Sequence, residues 1–276
     1  PIITLPAAAE LGSSLLPAEF RRVPVPVRAE HLDALEVLRL ALDVIGPERI
    51  ALSASFGPED IVLLDLLTQL TPKPRVFTLD TGRLPQETYD LIDAVRARFG
   101  VDVEVVFPEA REVEAMTRDR GTNLFYRSIE DRRHCCDVRK VAPLGRALRG
   151  LDGWITGVRR DQIGTRSGTL KIGFDLEHGM IWKVSPLADW TEDEVWARIR
   201  QRDLPYNALH DAGYPSIGCA PCSRAVPAGA DPRSGRWWWE QPDDRECGIH
   251  VAALPAPAAV VAPAAPVWAP AAVPDA

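Results

Sequence analysis

Arg49-Ile50-Ala51-Leu52-Ser53-Ala54-Ser55-Phe56-Gly57-Pro58-Glu59-Asp60, running on through Ile61 to Leu70, decides the fold. Arg49 to Ser53 is a short apolar run and reads as a strand. Pro58 to Leu70 carries apolar residues at helical spacing, with the proline in the first turn, where a missing N–H costs nothing. A strand that passes through a small-residue turn straight into a helix is the first half of a β-α-β unit. The pattern continues outward. Arg75 to Leu79, Val103 to Phe107, Trp154 to Val158 and Ile181 to Val184 read as strands; Pro85 to Phe99 and Glu109 to Arg118 read as helices. Thr191 to Arg202 is a helix opened by the Thr191/Glu194 capping box. Upstream, Leu32, Leu35, Leu38, Leu42 and Ile45 stripe a helix from Glu30 that Gly46-Pro47 ends. The alternation predicts an α/β fold, a mostly parallel sheet flanked by helices with right-handed crossovers. Ligands of such sheets sit beyond the carboxyl ends of the strands, so the loops at 53–58, 80–84 and 157–168 are where chemistry is expected.

Around this block the composition sets boundaries. The chain has 276 residues, 46% hydrophobic and 26% charged, enough for a large buried core. Residues 1–28 hold scattered prolines without a period and read as an N-terminal arm; 29–203 is the nucleotide-binding α/β domain. Residues 204–250, rich in Pro, Gly, Cys and Trp, read as a loop-rich segment of the same domain. Residues 251–276, with six Pro, twelve Ala and one charged side chain, read as a disordered tail. Without a long apolar run or a basic-flanked apolar start, the chain is expected to be cytoplasmic, with no membrane partner. A net charge of −7 excludes a general nucleic-acid binder. A homo-oligomer is compatible with the sequence.

The five cysteines divide four plus one: Cys135-Cys136, Cys219-x-x-Cys222, and Cys247. In a reducing setting such groups bind metal or catalyse more often than they cross-link. Four thiolates suit zinc or an iron–sulfur cluster. Neighbouring cysteines would strain to ligate one small ion, whereas a cubane offers separate iron corners, which favours [4Fe–4S]. Cys247, in Glu246-Cys247-Gly248-Ile249-His250, suits a mobile nucleophile whose thiolate form His250, Arg233, Arg236 and Arg245 favour. The turn Ser53 to Asp60 at a helix start suits phosphate, although it matches neither a P-loop nor a dinucleotide fingerprint. Between Arg127 and Lys171, eleven Lys/Arg face five Asp/Glu, a local excess against the overall sign that an anionic substrate or cluster would require.

Ser53-Ala54-Ser55-Phe56-Gly57, Leu79-Asp80-Thr81-Gly82, Cys135-Cys136-Asp137-Val138-Arg139-Lys140, Thr156-Gly157-Val158-Arg159-Arg160-Asp161-Gln162, Cys219-Ala220-Pro221-Cys222 and Glu246 to His250 together resemble the assimilatory adenylyl-sulfate reductases, relatives of the phosphoadenylyl-sulfate reductases. The resemblance implies an adenine nucleotide alpha-hydrolase-like fold and a [4Fe–4S] cluster on Cys135, Cys136, Cys219 and Cys222. It implies that Cys247 attacks the sulfate sulfur of adenosine 5′-phosphosulfate, releasing AMP, and that thioredoxin or a glutaredoxin-like dithiol then frees sulfite from the S-sulfocysteine. On this resemblance Ser53, Ser55 and Gly57 fall at the phosphate and Leu79 and Thr81 near the adenosine. Lys140 lies between cluster and substrate with Arg139 beside it, and Arg166, Arg233 and Arg236 grasp phosphate and sulfate. Cys247, Lys140 and His250 form the expected catalytic group. The alternative within the family is action on the 3′-phosphorylated nucleotide, or on both.

Overall fold

The computed structural model describes residues 29–162 and 166–241. The expected arm, the tail, Cys247 and His250 lie outside the described residues. Six strands form one sheet in the order β3-β2-β1-β4-β6-β5. In chain order the elements are α1 (Ala34–Ile45), β1 (Ile50–Ser53), α2 (Pro58–Leu70), β2 (Val76–Leu79), α3 (Gln86–Phe99), β3 (Val103–Val106) and α4 (Ala110–Arg120). Then follow α5 (Ile129–Cys136), a π-helical stretch (Asp137–Val141), α6 (Ala142–Ala147), β4 (Gly153–Ile155), β5 (Ile172–Asp175), β6 (Ile181–Val184) and α7 (Glu192–Arg202). All neighbouring pairs are parallel except β5 with β6. The mostly parallel α/β sheet expected from the alternation is therefore observed.

Side chains alternate across the sheet with the period of two that an extended chain imposes. Ile50, Leu52, Val76 and Ile155 enter the larger core, formed with α1, α2, α3 and α7. Ala51, Phe77 and Trp154 enter the smaller one on the other face, with Leu144, Leu148 and Leu151. α2 is buried along most of its length, and of its two buried carboxylates Asp65 is met by Arg198 (2.5 Å) and Arg202 (3.2 Å) of α7.

Several boundaries differ from expectation for local reasons. α1 begins at Ala34 rather than Glu30 because Asp33 and Glu36 form a reciprocal capping box. The Thr191/Glu194 box at α7 is present as expected. The strand expected over Trp154 to Val158 stops at Ile155: the Thr156 hydroxyl accepts from the Val158 amide (3.1 Å) and turns the chain out of the sheet. β5, the antiparallel edge strand, had not been expected.

Order along the sheet places the site. From β1 the chain moves outward to β2 and β3, then returns to β4 on the other side of β1. The crevice between the loops after β1 and β4 is the switch point where ligands of such sheets bind.

Candidate active site and thiol cavity

The loop after β1 is held by a buried carboxylate. Asp60, in the first turn of α2, accepts from the Ser55 amide (2.7 Å) and hydroxyl (2.9 Å). Burial, then the neighbouring Glu59, pushes its carboxyl up to about 7. Gly57 caps α2 without a side chain, and Phe56 takes a left-handed φ of 61° with its ring buried. From the β4 side Gly157 packs against this turn: a Cβ there would lie 2.7 Å from Glu59 Cβ and 2.8 Å from Asp60 Oδ1. Arg159 Nε and Gln162 Nε2 both donate to Glu59 Oε1 at 2.9 Å, and Arg166 Nη1 donates to Gln162 Oε1 at 2.5 Å. Ser53, Ser55, Gly57 and Arg166 thus stand around one crevice, with the two donors of Ser55 turned onto Asp60.

The turn after β2 connects this crevice to the cysteines. Asp80, buried, accepts from the Gly82 amide (2.7 Å) and the Tyr89 hydroxyl (2.9 Å); burial first, then Asp80, raises the tyrosine to about 12. Leu79 ends β2. Thr81 Oγ1 lies 3.2 Å from Cys219 Sγ, and the Thr81 carbonyl accepts from Arg139 Nη1 at 2.5 Å. Arg83 adds a backbone link, its carbonyl accepting from Ala220 N at 2.8 Å.

Cys135, Cys136, Cys219 and Cys222, from two stretches more than eighty residues apart, line one small cavity of about 20 Å³ with Arg83, Arg139, Lys140, Arg236 and Trp237. All four are free thiols. Cys135 and Cys136 end α5, where it passes into the π-helical stretch carrying Arg139 and Lys140. Burial pushes the Cys222 thiol up to about 12, with Cys219 and Cys136 adding repulsion and Arg236 and Lys140 opposing. Cys135 is raised by burial first, against Arg139. Two buried donors in the cavity wall, Arg139 Nε and Trp237 Nε1, have no hydrogen-bond partner among the described residues. No group of three or more His, Cys, Asp or Glu side chains among the described residues is arranged to hold a metal ion as it stands. Four soft donors lining one cavity with the cations Arg83, Arg139, Lys140 and Arg236 fit the chemistry of a multinuclear anionic sulfur-ligated group better than a single ion, whose thiolates must converge to about 2.3 Å.

Arg236 is buried, donates through Nε to the Cys222 carbonyl (3.0 Å) and lies over the Trp237 ring at 4.6 Å, with Arg233 farther away at 6.0 Å. The basic run is not a free cationic face. Arg132 pairs with Glu240, Arg159 with Glu59 and Asp161, Arg160 with Glu30 and Lys171 with Asp189, so these charges are neutralised within the fold. Glu59, Asp60 and Asp80 stand inside the turns that the sequence singled out, at Ser53 to Asp60 and Leu79 to Gly82, without a role assigned to them; Tyr89 and the Arg132–Glu240 pair carried no sequence signal.

A parallel sheet with a switch-point crevice after β1 and a thiol-lined cavity beside the β2 turn defines an adenine nucleotide alpha-hydrolase-like domain with a sulfur-rich annex. Residues 49–225 match the phosphoadenosine phosphosulfate reductase domain, and the chain belongs to that family. It is 46% identical over 203 residues to an adenosine 5′-phosphosulfate reductase of Allochromatium vinosum, covering 74% of this chain and 79% of that one. It is 43% identical over 241 residues to the enzyme so named from Burkholderia cepacia, covering 86% and 94%. Among solved structures it resembles a phosphoadenylyl-sulfate reductase from Candida auris in phosphate complex, with TM-score 0.62 and 27% identity over 73% of this chain and 94% of that one. A Candida glabrata FMN adenylyltransferase, at TM-score 0.51 and 16% identity over 92% and 89%, shares the fold alone. Among the described residues no helix is long and apolar enough to cross a membrane.

Proposed function

We propose that the chain reduces adenosine 5′-phosphosulfate to sulfite and AMP in sulfate assimilation. The observation that carries this reading is the meeting of four free cysteines in one cavity against the β2 turn, with Thr81 Oγ1 at 3.2 Å from Cys219 Sγ. A nucleotide seated at the switch point brings its phosphosulfate toward that wall. The family and the names of its relatives support the same reaction.

In the proposed chemistry the Cys247 thiolate attacks the sulfate sulfur. An S–S bond forms, the S–O bond to phosphate breaks, and AMP leaves with the electron pair. Amides of the loop after β1 and the cations at the cavity, Lys140, Arg139 and Arg236, stabilise the charge that develops on the leaving phosphate; Arg166 and Arg233 assist from the rim. His250 favours the thiolate. A dithiol protein such as thioredoxin then attacks the Cys247 sulfur, releases sulfite, and closes to its own disulfide, so the two electrons come from the dithiol. Cys135, Cys136, Cys219 and Cys222 would hold a [4Fe–4S] cluster, whose contribution when bound is an electrostatic field beside the substrate rather than electron delivery. The names of the relatives favour the nucleotide without a 3′-phosphate.

Mass spectrometry of the chain after incubation with each nucleotide, without reductant, tests the reading. A sulfonate adduct on the Cys247 peptide is expected with adenosine 5′-phosphosulfate and far less with the 3′-phosphorylated form. Sulfite release by a Cys247→Ser chain would reject the nucleophile, and equal turnover of both nucleotides would reject the preference.

A further inference from the structure

The two faces of the sheet are covered unequally. Over the larger core α1, α2, α3 and α7 run 11 to 14 residues each. Over the smaller core α6 has only six residues and reaches about 9 Å. Past its last residue, Ala147, the sheet opens at the amino ends of β1, β2 and β3 into a cavity of about 330 Å³, a size within the range of about 300–1,000 Å³ found for small-molecule sites. Ser53 and Leu79 stand at the other ends of β1 and β2, so this cavity and the nucleotide crevice lie at opposite edges of the same strands. None of its lining residues belongs to the crevice or to the thiol cavity.

The floor is apolar, with Phe77, Ala147 and Leu151 meeting there. The rim is charged. Lys73 and Arg75 lead into β2, while Asp102 and Glu104 flank Val103, the first residue of the neighbouring β3; Glu104 stands opposite Phe77 in the register. All four charged residues are exposed, and among the described residues none of them forms an ion pair. Neighbouring strands are about 4.8 Å apart, so two cations and two carboxylates share one rim at short range without meeting one another. The cations are also held in place. Lys73 sits between Pro72 and Pro74, whose rings restrict its backbone. Arg75 Nη1 donates to the Glu48 carbonyl at 2.7 Å, which fixes the guanidinium without neutralising it.

A simple anion would gain from Lys73 and Arg75 but be repelled by Asp102 and Glu104, and a simple cation would meet the reverse. A molecule carrying both signs on neighbouring atoms satisfies both sides of the rim, and an apolar chain attached to them covers the floor. We infer that this cavity binds a free α-amino acid with an apolar side chain, its carboxylate toward Lys73 and Arg75 and its ammonium group toward Asp102 and Glu104. The inference is independent of the reaction proposed above.

Calorimetric titration of the full chain with L-leucine, with and without saturating AMP, tests it. Saturable binding is expected with a Kd of about 1 mM or tighter, and AMP should leave it unchanged. Two analogues keep the leucine chain and lose one charge each. 4-Methylpentanoate lacks the ammonium group, 3-methylbutylamine lacks the carboxylate, and each is expected to bind about tenfold more weakly. Glu104→Gln should weaken leucine and 3-methylbutylamine about fivefold and spare 4-methylpentanoate; Lys73→Met should weaken leucine and 4-methylpentanoate as much and spare the amine. Absence of saturable heat with leucine up to about 20 mM would overturn the site. Analogues binding as tightly as leucine would overturn the recognition of both charges. Displacement of leucine by AMP would move the binding to the crevice, and an unchanged leucine affinity in both variants would remove the rim from it; either result contradicts the inference.

Discussion

The crevice at the β1/β4 switch point and the cysteine-bearing stretch from Leu204 to Gln241 sit side by side yet are stabilised in opposite ways. The crevice is satisfied from within: Asp60 takes both donors of Ser55, Glu59 takes Arg159 and Gln162, and Gly157 closes the packing. The cysteine-bearing stretch has little regular structure beyond short 3₁₀ turns. It is tied down by buried guanidinium groups, and in its cavity wall Arg139 Nε and Trp237 Nε1 meet no hydrogen-bond partner among the described residues. A turn whose donors are held by its own carboxylates is pre-organised before a ligand arrives; a stretch with little regular structure depends on side-chain contacts to neighbouring elements to hold its shape.

The contrast can be broken most severely at the cysteines. Cys219→Ser removes one of the four soft donors and the partner of Thr81. Iron content and visible absorbance are expected to collapse, and sulfite formation to fall by more than the about 10–100-fold typical of losing an outer-shell partner, while AMP binding in the crevice survives. Iron analysis and calorimetric AMP titration on the same sample check both halves.

On the crevice side, Gly157→Ala drives a methyl group into Glu59 and Asp60. A loss of about 1–3 kcal/mol in unfolding free energy is expected, with a raised KM for nucleotide and iron content unchanged. Chemical denaturation and steady-state kinetics would show whether the damage stays on its own side.

A smaller effect sharpens the account of the loop. Asp60 titrates at about 7 in the folded chain against an ordinary 3.8, so the folded state holds that proton more tightly than the unfolded one. Its contribution is full below the ordinary value and is lost as pH rises through 7. Between about pH 5 and about pH 8 the chain should lose on the order of 2 kcal/mol that Asp60→Asn does not lose. Parallel pH profiles for both chains in denaturant unfolding would contradict the burial of that carboxyl.

The same contrast explains what could be read from sequence. From Arg49 to Val106 the strands announce themselves as short apolar runs, buried on both faces of the sheet, between helices with apolar residues at helical spacing, and Gly46-Pro47, Pro58 and Pro85 mark the boundaries. The cysteine groupings were legible too, since thiol spacing is a chemical signal independent of secondary structure. Ile172–Asp175 was not, because Lys171 and Asp175 are buried charges that interrupt its apolar pattern. The α5–π–α6 stretch carries charges on every side, and a π-turn has no compositional mark. Arg132 and Glu240 looked like surface charge, and only their meeting across 108 residues shows otherwise.

The most direct measurement is iron and acid-labile sulfide per chain in anaerobically purified protein, read together with its sulfite-forming activity. About four of each per chain, lost in step with activity on chelation, is the predicted result. A colourless chain without iron that turns over the nucleotide at full rate would contradict the division of labour between the four cavity cysteines and Cys247.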